Sequence, residues 1–81
     1  MMTGVIDIGS NTVRLAVYEV KDGVPKELFN KKVNAELANY IDDGKLTQKG
    51  MKKAAATLSD LLHVAQSIGL KKVYPFATAS L

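Results

Sequence analysis

The sequence has no cysteine, no tryptophan, a single histidine, His63, and two prolines in 81 residues. Without cysteine there is no thiol nucleophile, no disulfide scaffold and no Cys-ligated zinc or iron–sulfur centre, and one imidazole cannot build a multi-histidine metal site. No run approaches the eighteen or so apolar residues of a spanning helix, and the first four residues are not a basic segment feeding a secretory apolar stretch. These absences predict a cytoplasmic protein with no membrane partner. Arginine is nearly missing too: of eleven basic residues only Arg14 is an arginine, and the lysines are spread over several segments. A net charge of +3, with three tyrosines and two phenylalanines to stack bases, does not make a nucleic-acid surface. What remains is ordinary: 47% hydrophobic and 23% charged residues, the balance of a folded domain rather than of a disordered tract. At this length a chain buries roughly 60 to 65% of its unfolded surface, enough for one small core and not for two domains. No repeat, low-complexity tract or linker divides it.

Val5-Ile6-Asp7-Ile8 is a short apolar run interrupted by one acid and bounded by Gly9-Ser10-Asn11. From Thr12 to Val20, Val13, Leu15 and Val17 alternate with Arg14, Ala16 and Tyr18, so two strands flank a tight turn. Asp22-Gly23 accepts the positive φ angles of a two-residue hairpin, and a third, weaker strand runs from Pro25 to about Val33. Residues 34–45 read as a loop holding a short helical turn. Thr47 is placed to cap a helix in which Met51, Ala54, Leu58, Leu61, Leu62, Ala65 and Ile68 form one apolar stripe, ended by Gly69. Val73-Tyr74-Pro75-Phe76-Ala77 is a fourth strand, with Pro75 expected at an edge or where its nitrogen faces no neighbour, and residues 78–81 read as the mouth of another helix. A three-stranded antiparallel meander, a helix of about six turns and a strand returning parallel to the first define an α/β fold with a right-handed crossover.

Asp7 most needs explaining, because a carboxylate between two isoleucines in a buried strand must recover its lost hydration from hydrogen bonds, a cation or protonation. The adjoining turn offers Gly9, where a ligand can approach the backbone closely, the hydroxyls of Ser10 and Thr12, and the amide of Asn11. Backbone N–H groups in such a turn suit phosphate oxygens, and Asp7 is placed to hold a hydrated magnesium ion beside them. Arg14 follows on the second strand, with a planar fork that grips phosphate through two hydrogen bonds. The plain alternative has Asp7 accepting bonds from the turn and Arg14 on a wet sheet face beside Glu19 or Glu27. Spacing by itself leaves both open.

Ile6-Asp7-Ile8-Gly9-Ser10-Asn11-Thr12-Val13-Arg14-Leu15 resembles the first phosphate motif of the actin, Hsp70 and sugar-kinase superfamily. The Gly-Ser-Asn-Thr wording with Arg14-Leu15 is similar to the exopolyphosphatase and guanosine pentaphosphate phosphatase family rather than to kinases or chaperones. Phe76-Ala77-Thr78-Ala79-Ser80-Leu81 is similar to that family's Ala-Thr-Ala-X-Leu-Arg segment, so the resemblance spans essentially the whole chain. It implies a ribonuclease H-like, actin-like half-domain, with residues 1–81 as the N-terminal fragment of the first such domain and the rest of that domain and the second one beyond Leu81.

The resemblance further implies a cytoplasmic hydrolase acting on the terminal phosphoanhydride bonds of inorganic polyphosphate or guanosine pentaphosphate (pppGpp), with Mg2+ or another divalent cation, and a homodimer as the full-length protein. Carried over residue by residue, Asp7 bears on the metal. Gly9, Ser10, Asn11, Thr12 and Arg14 bear on phosphate, and Thr78, Ala79 and Ser80 form a second phosphate-binding wall. The family's catalytic carboxylate falls downstream of Leu81, so no catalytic residue is expected within the chain, and the chain by itself is expected to be inactive. The family's Arg-Leu-Gly-like stretch is replaced here by Asn34-Ala35-Glu36-Leu37-Ala38-Asn39-Tyr40-Ile41, and no substrate contact is carried over to it. The alternatives are a non-catalytic phosphate-binding or structural module, and a fragment of an ATP-dependent sugar or acyl kinase of the same superfamily.

Other polar residues have simpler readings. His63 lies about 140° around the helix from Leu58 and faces water. Asp42 and Asp43 shape a turn before Gly44 rather than bind a cation. Lys49, Lys52 and Lys53 form a solvated helix face, and Met51, Leu58, Leu61 and Leu62 belong to the core.

Overall fold

The computed structural model describes residues 2–77. Strands β1 (Met2–Ile8), β2 (Val13–Lys21) and β3 (Val24–Val33) come first, and a 3₁₀ turn (Leu37–Tyr40) follows. A two-residue ribbon of β4 (Ile41–Asp42) and β5 (Lys45–Leu46) leads into helix α1 (Gln48–Ser67) and strand β6 (Val73–Ala77). The main sheet has the order β3-β2-β1-β6. β2 pairs antiparallel with both β1 and β3, whereas β6 pairs parallel with β1. The meander, the helix and the parallel fourth strand are those expected from the sequence.

Period-two patterning sorts the sheet into two faces. Ile6, Val13, Leu15 and Val17 are almost completely buried on one of them, where they join Leu61 and Ala65 of α1 and Ala35, Leu37 and Leu70 from the connections. The other face carries Val5 and Asp7 of β1 with Arg14, Ala16 and Tyr18 of β2, in register pairs Val5↔Ala16 and Asp7↔Arg14.

Helix α1 begins where Thr47 accepts a 3.1 Å hydrogen bond from the Gly50 N–H, leaving one fewer orphan donor in the first turn. It ends in a Schellman motif. Gly69, with φ 81°, donates to the Gln66 carbonyl at 3.0 Å, and Leu70 donates to the Ala65 carbonyl at 3.0 Å. That closure drops Leu70 into the core and aims the chain at β6.

The helix stripe is narrower than the sequence suggests. Gly50, Thr57, Leu61 and Ala65 are buried, whereas Met51 is 52% exposed, Leu62 36% and the capping Ile68 41%. Met51 follows Gly50 and Leu62 follows Leu61, so each is turned about 100° from a residue that touches the sheet. Met51 and Leu62 are therefore not core, and a single helix on a single sheet face does not reach them. Leu58 stays partly buried against the core, and His63 is exposed as expected.

Both Asp-Gly pairs form two-residue turns with positive φ at each central residue: 55° and 76° at Asp22 and Gly23, 53° and 75° at Asp43 and Gly44. Such turns match the strand twist of a hairpin. The loop expected over residues 34–45 does hold a short helical turn, together with the unanticipated β4–β5 ribbon. Pro75 lies in β6, at the end of the sheet order, and Pro25 lies in β3 at the other end, where a missing N–H costs no ladder bond. Between Val17↔Phe29 and Tyr18↔Glu27 the register shifts, leaving Leu28 as an extra residue in β3. This bulge twists an otherwise long edge strand.

Candidate functional site

Asp7 and Arg14 are register partners across β1 and β2. Arg14 is in turn opposite Lys32 of β3, and Asp7 is opposite Phe76 of β6. The row Lys32, Arg14, Asp7, Phe76 thus crosses the sheet on the face away from α1, because directly opposed residues project to the same side. Asp7 is half-buried, and Arg14 and Lys32 are exposed. Two cations, both on the β3 side of Asp7, share the row with one carboxylate, which gives the row a net positive charge.

The Asp7–Arg14 pair in the middle of this row lies one register pair, Ile8↔Val13, from the turn of residues 9–12. Gly9 donates to the Thr12 carbonyl at 2.9 Å and closes the reversal. The Gly9 N–H is thereby committed within the turn, so what Gly9 offers a ligand is close approach rather than a donor. Gly9, Ser10 and Thr12 are half-buried and Asn11 is exposed, so the turn is not sealed under apolar side chains. Its central carbonyls point at a distant segment: Ser10 accepts from the Ala38 N–H and Asn11 from the Glu36 N–H, both at 2.8 Å. Glu36 adopts φ 52°, ψ 45°, a left-handed conformation uncommon outside glycine. The sequence places no substrate contact in residues 34–41. Their contact with the turn is made by backbone, and Glu36 and Ala38 expose their side chains, so no side-chain motif announced it.

Ile8 of β1 is the register partner of Ala77 of β6. The two parallel strands therefore bring their carboxyl ends to one edge of the sheet, the edge where ligands bind in open α/β folds. The expected second wall, Thr78, Ala79 and Ser80, lies outside the described residues. A shallow depression of about 210 Å³ lined by Met2, Gly69, Lys71 and Lys72 opens near the start of β1, at the opposite end of the strand from the turn.

Among the described residues no group of three or more His, Asp or Glu side chains is arranged to hold a metal ion. One half-buried carboxylate beside a partly open turn fits magnesium, which keeps several waters and takes one or two protein carboxylates plus substrate oxygens. It does not fit a metal enclosed by protein ligands.

A meander, a crossover helix and a parallel fourth strand, with an Asp-X-Gly turn between the first two strands, define a ribonuclease H-like half-domain. No family model matches the chain. Exopolyphosphatase 1 of Mycobacterium tuberculosis is 35% identical over 82 residues, covering 99% of this chain and 24% of that protein. The exopolyphosphatase 1 of Mycobacterium leprae is 32% identical over the same shares. Among solved structures, an exopolyphosphatase from Cytophaga hutchinsonii superposes with a TM-score of 0.82 at 27% identity, over 95% of this chain and 25% of that one. The chain spans about a quarter of the length of these relatives. Over nearly every residue the chain is similar in sequence and structure to exopolyphosphatases and Ppx/GppA proteins, the family that the motifs resembled, and it fits an N-terminal fragment of that family.

Proposed function

We propose that the full-length protein hydrolyses terminal phosphoanhydride bonds, those of inorganic polyphosphate or the 5′ terminal phosphate of guanosine pentaphosphate, and that this chain supplies one wall of the cleft. The observation that carries the reading is the pairing of Arg14 with Asp7 beside an open turn at the carboxyl edge of the sheet. Relatives that share this segment, exopolyphosphatases among them, support the same chemistry.

In this reading Arg14 spreads its two-pronged guanidinium over non-bridging phosphate oxygens and offsets charge on the transferring group. Turn 9–12 supplies N–H and hydroxyl donors, and Asp7 is the residue that would hold a hydrated magnesium ion. Bound there, such an ion would supply positive charge that offsets phosphate charge. Positioning and charge neutralisation are what phosphoryl transfer asks of a protein, and this chain's residues do no more than that. Proton removal from the attacking water is left to a carboxylate beyond Leu81.

The test is phosphate release by the full-length protein from both substrates, with Arg14→Ala and Asp7→Ala beside wild type. Arg14→Ala is expected to lose about 10²- to 10³-fold in turnover, the cost of removing one preorganised charge-stabilising donor. Asp7→Ala is expected to raise the magnesium concentration needed for half-maximal rate. Unchanged turnover of both variants on both substrates overturns the assignment.

A further inference from the structure

We infer that residues 36–38 are a brace that orients the phosphate turn, with the backbone N–H groups of Glu36 and Ala38 as the positioning groups; this rests on the phosphate reading of turn 9–12. No cis peptide occurs among the described residues. In a trans peptide the C=O of one residue and the N–H of the next point in opposite directions. The Ser10 carbonyl, fixed on Ala38 at 2.8 Å, therefore turns the Asn11 N–H away from the brace. Equally, the Asn11 carbonyl, fixed on Glu36 at 2.8 Å, turns the Thr12 N–H away. Two bonds thus set the direction of two donors. They also occupy two carbonyl oxygens that would otherwise be free to swing toward an anion and repel it.

The brace is itself anchored on both sides. Ala35 and Leu37, which alternate with the two donors, are 1% and 0% exposed in the core. The 3₁₀ turn that follows is tied to α1: the Tyr40 carbonyl accepts from the Thr47 N–H at 2.7 Å, and the Lys53 ammonium sits 5.0 Å from the centre of the Tyr40 ring. Gly50 lets the helix come close, since a Cβ there would lie 2.6 Å from the Tyr40 Cβ. A continuous path of contacts joins the start of the helix to the turn. The left-handed Glu36 is the backbone conformation that this docking imposes, and such strain persists only where surrounding structure over-determines it.

Ala38→Pro removes one of the two N–H donors while leaving the turn's own sequence intact. In the full-length enzyme it is expected to raise KM for polyphosphate about tenfold, the scale of one lost hydrogen bond, with kcat within about threefold of wild type. Ala38→Ser, which keeps the N–H, is expected to restore the wild-type KM. A folded Ala38→Pro protein with unchanged KM overturns the brace.

Amide hydrogen exchange of wild type with and without tripolyphosphate decides the matter even if that variant does not fold. A ligand that selects the braced orientation must strengthen the brace bonds in return. Exchange at Glu36 and Ala38 is expected to slow at least about threefold together with Asn11 and Thr12. Slowing at Asn11 and Thr12 without change at Glu36 and Ala38 overturns the brace and leaves the phosphate reading standing. No slowing at either pair overturns both.

Discussion

The two reversals that bracket β2 are built in different ways. At Asp22-Gly23 both residues take positive φ, no atom outside Gly23 and its chain neighbours lies within 4 Å of where a Cβ would stand on Gly23, and the turn is exposed. At residues 9–12 the chain turns with one internal bond and is then held by two more from residues 36 and 38. The first turn is specified by its own two residues, because glycine and aspartate tolerate the required angles. The second is specified partly from outside. A reversal that only joins strands needs no external support, whereas one whose peptide groups must face a ligand gains from having their direction fixed in advance. The cost of that fixing shows at Glu36, since a left-handed residue other than glycine is disfavoured by roughly 1–2 kcal/mol.

Substitutions can break this contrast from the braced side or sharpen it from the free side. Leu37→Ala has the largest expected effect: a fully buried leucine under the brace is worth about 2–5 kcal/mol. Denaturant unfolding measures the loss, and KM for polyphosphate should rise in parallel because the brace loses its seat. Gly50→Ala comes next. A Cβ there would meet Tyr40 Cβ at 2.6 Å and Leu46 Cδ1 at 2.8 Å, and overpacking of about 1–3 kcal/mol outweighs the roughly 1 kcal/mol gained in helix propensity. A net destabilisation of about 1 kcal/mol is expected from the urea midpoint. Asp22→Asn is the smallest, because asparagine accepts the same turn: stability within about 0.5 kcal/mol and phosphate release unchanged within about twofold.

The same contrast explains what the amino-acid sequence discloses. Strand alternation, the Thr47 cap, the Gly69 stop, both Asp-Gly turns and the edge position of Pro75 are written in side-chain chemistry, and all of them can be read before folding. The pairing of Asp7 with Arg14 was not among them: it follows from the register only once the turn is known to span residues 9–12. Less legible were Met51 and Leu62, whose three-and-four spacing marks an apolar stripe without saying how wide a strip the sheet covers. The β4–β5 ribbon is too short to carry a period. Hardest of all was the brace, since it works through N–H groups that every residue but proline possesses, and its outward-facing side chains carry no requirement of their own.

The most direct test of the central claim is a map of backbone amide shifts in the full-length protein as tripolyphosphate is added with magnesium. The account predicts saturable shifts at Asn11, Thr12 and Arg14, with Asp22 and Gly23 unmoved. Shifts confined to the lysines at 71 and 72, or spread evenly over exposed lysines with residues 9–14 silent, would contradict it.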